Sequence, residues 1–315
     1  MDTACGSIYT WDTRALVEPN ESASAPRTAL ILLNSPLPPQ PLFAKLWKTA
    51  TLRFCADGGA NRLYDRFVGG RDGSSLDGQV DQEAWLPDLI LGDLDSLRED
   101  VRAYYKQQVR AGERAFLLSS VRSLDTEEDH PAPLLQGVTV EQDPDEYSTD
   151  LGKNVARLTA IETGALPPPH NPKSPTRTIP TGQQFQIVLI GGLSGRLDQT
   201  IHTLHAMTLL AEKEQRDRVW AIGKESAALL LTKGSHELHV DLALFGKTCG
   251  ILPVGVSEAH VTTKGLEWNL GPNDYMYPTS LSSAVSTSNH LIQEEIKIET
   301  DVPVVWTMEV RGGAE

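Results

Sequence analysis

From about residue 28 the chain repeats one pattern: a short apolar run rich in Val, Ile and Leu, then a stretch with apolar positions at helical spacing. "TALILLN" (28–34) precedes "PLFAKLWKTA" (41–50), and "LRFCAD" (52–57) precedes "GGANRLYDRF" (58–67). "DLILGD" (88–93) leads into "SLREDVRAYYKQQVRAG" (96–112), a helix expected to stop at its glycine. "FQIVLIGG" (185–192) leads into "RLDQTIHTLHAMTLLAEKEQ" (196–215). Runs that are apolar throughout are buried on both faces, and their alternation with helices predicts βαβ units around a parallel sheet.

After about residue 222 the period changes. Short alternating segments ("HELHVDL", "TCGILPVG", "AHVTTKG", "LEWNL", "LIQEEIKIET" and "VPVVWTMEV") are separated by Gly, Pro and Asn. Alternation with frequent turns predicts a smaller all-β sandwich. The expected fold class is therefore an α/β domain with a parallel sheet (28–222), followed by an all-β sandwich domain (223–315), with a leader over 1–27. Residues 121–137 and 165–184, rich in Pro, Ser, Thr and polar side chains, read as surface inserts.

Composition removes several function classes. The chain has 315 residues and a formal charge of −14. No apolar run approaches the roughly 20 residues of a membrane helix, so no membrane role is expected. The acidic balance argues against nucleic-acid binding, which needs clustered Lys and Arg. The N-terminus has neither an apolar secretory core nor an Arg-rich transit pattern, which predicts a cytoplasmic location. Cys5, Cys55 and Cys249 are too far apart for a CxxC site and read as free thiols. Without a secretion signal, the Asn20-Glu21-Ser22 sequon should stay unmodified.

Ligands of open parallel sheets bind beyond the carboxyl ends of the strands. "LRFCA" ends in Asp57-Gly58-Gly59-Ala60-Asn61 and "LILG" in Asp93-Leu94-Asp95-Ser96. "GVTVEQ" leads to "DPDEYSTDLGKN" with Asp150, and "FQIVLI" to "GGLSGRLDQ" with Arg196 and Asp198. An aspartate after a strand is ordinarily a helix cap or turn former. Four at one edge are a weaker coincidence, and such carboxylates would raise one another's pKa unless a cation neutralised them. Mg2+ fits, because it takes oxygen ligands, few of them from protein, and completes its shell with substrate phosphates. The glycines of "DGGAN" and "GGLSGR" allow backbone close to phosphate, and Arg196 offers forked donors.

Other phosphate motifs fail on spacing. "GGLSGR" lacks the G-x-G-x-x-G interval and comes late, and Gly223-Lys224 is followed by Glu225 without a glycine-rich approach. A haloacid-dehalogenase-type DxDx[TV] would follow the first strand, which ends in "LLNSP". His202 and His205 share an apolar helix with no acidic partner and read as helix-face residues. In the C-terminal part, Trp268 in "GLEWNL" and Ser286, Ser288 and Asn289 in "AVSTSNH" would suit a flat heteroaromatic ring, although from the residues alone a core tryptophan and a polar turn are the favoured explanation.

Taken together, "CADGGANRLYD", "LILGDLDSL", "STDLGKN" and "GGLSGRLDQ" resemble the nucleotide-domain motifs of thiamine pyrophosphokinases in order, and "LHVD", "CGILPVG", "VTTKGLEWNL" and "VSTSN" resemble their thiamine-binding domain. The resemblance covers roughly residues 28–309, and the long inserts are similar to those of fungal members. It implies transfer of pyrophosphate from ATP to thiamine, giving thiamine diphosphate and AMP, in a homodimer with thiamine near the subunit interface. Asp57, Asp93, Asp95 and Asp150 would gather Mg2+ and the polyphosphate. Gln142, Thr149, Arg196, Asp198, Gly58 and Gly192 would hold the nucleotide, and Trp268, Ser286, Ser288 and Asn289 would contact thiamine. "EQDPDEYSTD" departs from the family by extra residues before its last aspartate. Two other functions use the same residues: a Mg2+-dependent nucleotide phosphohydrolase, and a catalytically silent thiamine-binding protein.

Overall fold

The structure, a computed structural model, describes residues 8–18, 26–70, 82–108, 137–171, 179–256, 258–271 and 286–312. Cys5, the Asn20 sequon, residues 121–136 of the first insert and 172–178 of the second lie outside the described residues. The chain divides into two compact units, one of residues 31–34 and 52–183, the other of residues 1–30, 35–51 and 184–315. No helix among the described residues is long and apolar enough to cross a membrane.

The stretch read as a leader contains strand β1 (Ile8–Asp12). It pairs in parallel with residues 235–239, and its Trp11 is buried, with Nε1 donating to Nδ1 of His236 at 3.0 Å. Five residues are too few for a visible period, so this strand exists by tertiary pairing. Strand β2 (Thr28–Leu32) is buried at every position, as an all-apolar run requires. Helix α1 (Gln40–Thr49) carries proline in its first turn and buries Leu42, Phe43, Leu46 and Trp47 on one stripe.

In the unit formed by 31–34 and 52–183, strands β3 (Leu52–Ala56), β4 (Leu89–Gly92) and β5 (Thr139–Gln142) continue from the end of β2 in the order β2-β3-β4-β5. Both β3–β4 and β4–β5 are parallel, with Ala56 opposite Leu91 and Gly92 opposite Gln142. The strand ends are therefore level. Helices α2 (Gly59–Phe67), α3 (Glu99–Gln107) and α4 (Asp150–Glu162) follow β3, β4 and β5 in turn. Helix α3 stops at Gln107, five residues before the glycine expected to end it.

The other unit adds β6 (Gln186–Ile190), α5 (Leu197–Glu214), β7 (Val219–Ile222), β8 (Ser226–Leu231), β9 (Gly234–His239), β10 (Phe245–Leu252), β11 (Val261–Lys264), β12 (Ser286–His290), β13 (Glu295–Thr300) and β14 (Val304–Val310). One of its sheets runs β12-β10-β14-β8-β7-β6-β2, and the other runs β1-β9-β13-β11. The change of grammar near residue 222 is a change of pairing: β6 and β7 are parallel, whereas β7–β8 and the described pairs among the later strands are antiparallel, and β9 pairs in parallel only with β1. Strand β13 alternates exposed and buried residues along its length, burying Ile296 and Ile298. An α/β region is thus followed by a β-rich one, as the pattern predicts.

Candidate functional site

Three of the strand-end aspartates converge. One carboxylate oxygen from each of Asp57, Asp93 and Asp150 lies within 4.8 Å of the others. Asp57 follows β3 with φ +43°, a left-handed conformation that is uncommon for a non-glycine residue. Its N–H donates to the Leu91 carbonyl at 3.1 Å, and its Oδ2 accepts from the Ser96 N–H at 3.0 Å. Strain of this kind gathers at functional sites. Asp150 opens α4, whose N-cap Thr149 accepts from the Gly152 N–H through Oγ1.

The convergence depends on Gly92. A Cβ on this residue would lie 2.7 Å from Asp57 Cβ and 2.9 Å from Asp150 Oδ1. Gly58 is similarly confined, since its Cβ would stand 2.4 Å from Asn34 Nδ2. Asn154 fixes the helix to the sheet, donating through Nδ2 to the Leu91 carbonyl at 3.0 Å and the Asp150 carbonyl at 2.8 Å.

Burial, then the charges of Asp150, Asp93 and Asp95, pushes the Asp57 carboxyl up to about 6 against the hydrogen bond from Ser96. Asp150 is raised by its burial and by Asp93, with Lys153 opposing. Among the described residues neither of the buried oxygens Asp57 Oδ1 and Asp150 Oδ1 accepts a hydrogen bond, though the Lys153 ammonium lies 3.6 Å from Asp150 Oδ1. Buried carboxylate oxygens are costly when unsatisfied. Three hard oxygen donors within 4.8 Å of one another, two of them buried and accepting no hydrogen bond among the described residues, fit a small divalent cation such as Mg2+.

Asp95 stands outside this triad. It is exposed, its N–H donates to Asp93 Oδ1 at 3.1 Å, and its own Oδ1 accepts from the Ser96 hydroxyl at 2.9 Å. Gln142 Nε2 donates to the Asp93 carbonyl at 2.9 Å, holding the loop that carries the aspartate. Sequence reasoning passed over Lys153, whose ammonium lies 3.6 Å from Asp150 Oδ1. Its spacing of three from Asp150 on a helix was the available signal.

In the other unit, β6 is followed by Gly191 and Gly192, with φ of +93° and +76°. Arg196 donates through Nε and Nη2 to both carboxylate oxygens of the exposed Asp198, holding that carboxyl below its usual range. Trp268 is 47% exposed, so it is a surface ring and no core tryptophan. Asn289 is buried and clamps it: Oδ1 accepts from the Trp268 N–H at 3.2 Å, and Nδ2 donates to the Trp268 carbonyl at 2.7 Å. The Asn289 amide thus fixes the backbone of the ring. Ser286 and Ser288 lie on the same strand, β12, Ser288 with φ +57°.

Both groups of residues lie in regions that match known proteins. Residues 43–114 and 123–219 match the family model "Thiamin pyrophosphokinase, catalytic domain", and residues 235–305 match "Thiamin pyrophosphokinase, vitamin B1 binding domain". Thiamine pyrophosphokinase 1 of Oryza sativa subsp. japonica is 30% identical over 295 residues, covering 93% of this chain and 90% of its own. Thiamine pyrophosphokinase of Saccharomyces cerevisiae is 27% identical over 310 residues, covering 94% and 89%. The crystal structure of yeast thiamin pyrophosphokinase has the same fold, with a TM-score of 0.68 over 99% of this chain and 94% of that one at 24% identity. With the catalytic and vitamin B1 binding regions both matched, in order and over most of its length, this chain belongs to the thiamin pyrophosphokinase family.

Proposed function

We propose that Asp57, Asp93 and Asp150 hold Mg2+ with the polyphosphate of ATP, and that Trp268, with Ser286 and Ser288, receives thiamine. The activity is that of the family: the chain catalyses pyrophosphoryl transfer from ATP to the thiamine hydroxyl, releasing AMP. The metal assignment rests on a triad that closes within 4.8 Å and on its buried Asp57 Oδ1, which accepts no hydrogen bond among the described residues.

The thiamine hydroxyl oxygen forms a bond to the β-phosphorus, and the bond from that phosphorus to the oxygen bridging the α-phosphate breaks. AMP keeps the bridging oxygen, and the hydroxyl proton passes to a carboxylate. Mg2+, when bound, neutralises charge on the polyphosphate, which is the main requirement of such a transfer. Asp57 has one oxygen bonded to the Ser96 N–H and the other facing the triad. Asp95 is therefore assigned the proton. Ser96, Gln142 and Asn154 keep the carboxylates in place, and Thr149 caps the helix that carries Asp150. Gly58, Gly192 and Arg196 hold the nucleotide through its phosphates, and Asp198 orients the Arg196 guanidinium. Asn289 positions the thiamine-facing Trp268.

The same proposal divides the labour between residues 28–222 for ATP and 223–315 for thiamine, in a homodimer with thiamine near the subunit interface. A cytoplasmic location accords with the free, buried thiols of Cys55 and Cys249. The test is AMP release from ATP and Mg2+ with and without thiamine, in the wild type and D93N. Thiamine-dependent AMP together with thiamine diphosphate, both lost in D93N, supports the assignment. Phosphate release without thiamine would point to a phosphohydrolase, and thiamine binding without AMP to a silent binder.

A further inference from the structure

Lys153 is neither a metal ligand nor a nucleotide- or thiamine-facing residue, yet its position is unusual. Its side chain is 1% exposed, and lysine is rarely buried so completely without a partner. The partner is Asp150, one helical turn earlier, at 3.6 Å from Nζ to Oδ1. That oxygen is the one a Cβ on Gly92 would crowd at 2.9 Å, so it lies against the end of β4, one residue before Asp93. The ammonium cannot easily withdraw, because the next residue, Asn154, ties this turn of α4 to β4 through the Leu91 carbonyl.

Resting on the Mg2+ reading of this site, we propose that Lys153 is a positioning residue that sets the charge of the metal pocket. Three carboxylates and one ammonium sum to two negative charges, which one divalent cation cancels. Without the ammonium the pocket holds three like charges at close range, which repel in the empty protein and attract a cation more strongly. Lys153 therefore stabilises the empty triad and restrains its affinity for free metal. The same positive charge favours the polyanionic substrate, so metal binds most tightly when it arrives with ATP. Being enclosed, Lys153 acts through Asp150 and does not touch the phosphates.

The experiment compares wild type, K153M, K153Q and K153R as full-length protein, with Mg2+ alone, Mn2+ alone, and Mg2+ with ATP. Metal affinity is read from the rise in melting temperature and from titration with Mn2+; D93N serves as the control. The uncharged variants should melt lower than wild type when empty, yet bind metal alone more tightly, on the order of tenfold. Their KM for ATP should rise severalfold. K153R, which keeps the charge, should stay within about twofold of wild type on each measure. A packing defect would weaken metal and ATP together, so weaker metal binding in both K153M and K153Q overturns the proposal, as does unchanged binding. If wild type itself shows no metal stabilisation that D93N removes, the metal reading fails and this inference with it. If K153M does not fold, K153Q carries the comparison.

Discussion

Asp57 is an enclosed carboxylate with one oxygen satisfied by the Ser96 N–H and the other by nothing among the described residues. Its carboxyl is pushed up to about 6 from an ordinary value of 3.8, first by burial. The sign of the consequence is fixed: a folded-state pKa above the unfolded one means that protonation favours the fold. Its contribution is present below about 3.8 and is lost as pH rises through about 6. Metal binds the deprotonated carboxylate, so the two dependences oppose each other. Melting temperature without metal should therefore fall across this window, while the increment from Mg2+ should grow, and D57N should flatten both trends. A second residue-scale prediction separates Asp95 from the triad. As a proton acceptor outside the metal ligands, its replacement in D95N should lower kcat by two orders of magnitude or more. Stabilisation by Mg2+ should stay close to that of wild type. Loss of metal binding in D95N would instead make Asp95 a ligand.

At the scale of elements, the site is made by where β3, β4 and α4 end and begin. Gly92 closes β4 in a space bounded by Asp57 and Asp150, so G92A has to push at least one carboxylate outward. It should cost about 1–3 kcal/mol of stability, as overpacking does, and abolish Mg2+-dependent stabilisation. Thermal unfolding with and without Mg2+ checks both, and a G92A protein that still gains stability from Mg2+ would refute the crowding argument. Much of this arrangement was legible in the sequence. An all-apolar run followed by aspartate gives a buried strand and a carboxylate at its end, and level parallel strands bring such ends together. The side chains of Asp93 and Asp95 were not separable, because two residues in an irregular loop have no fixed period. Asn289 read as a partner for ring nitrogens, but its amide is spent on the backbone of Trp268, 21 residues away, and such long-range pairing has no local signal. Strand β1 escaped for the same reason: its partner, β9, lies more than two hundred residues later.

At the scale of the whole molecule, the carboxylate triad and the Trp268 clamp belong to different compact units, each with its own core. Asp57, Asp93 and Asp150 are held by Ser96, Gly92, Gln142 and Asn154, all within residues 52–183. Trp268 is held by Asn289, within residues 184–315. If binding energy follows these local supports, lesions in the two groups should be separable in binding and inseparable in turnover. D93N should lose Mg2+-dependent stabilisation yet keep its affinity for thiamine within about twofold. W268A should do the reverse, keeping Mg2+-dependent stabilisation while thiamine binding weakens by about tenfold, the scale of a lost aromatic contact. Each should lower AMP formation, because transfer needs the hydroxyl and the β-phosphorus aligned at the same time. Calorimetric titration of thiamine into D93N, beside thermal unfolding of W268A with Mg2+, measures both. Loss of thiamine binding in D93N would mean that the metal site orders the thiamine site, and that the local supports are not sufficient on their own.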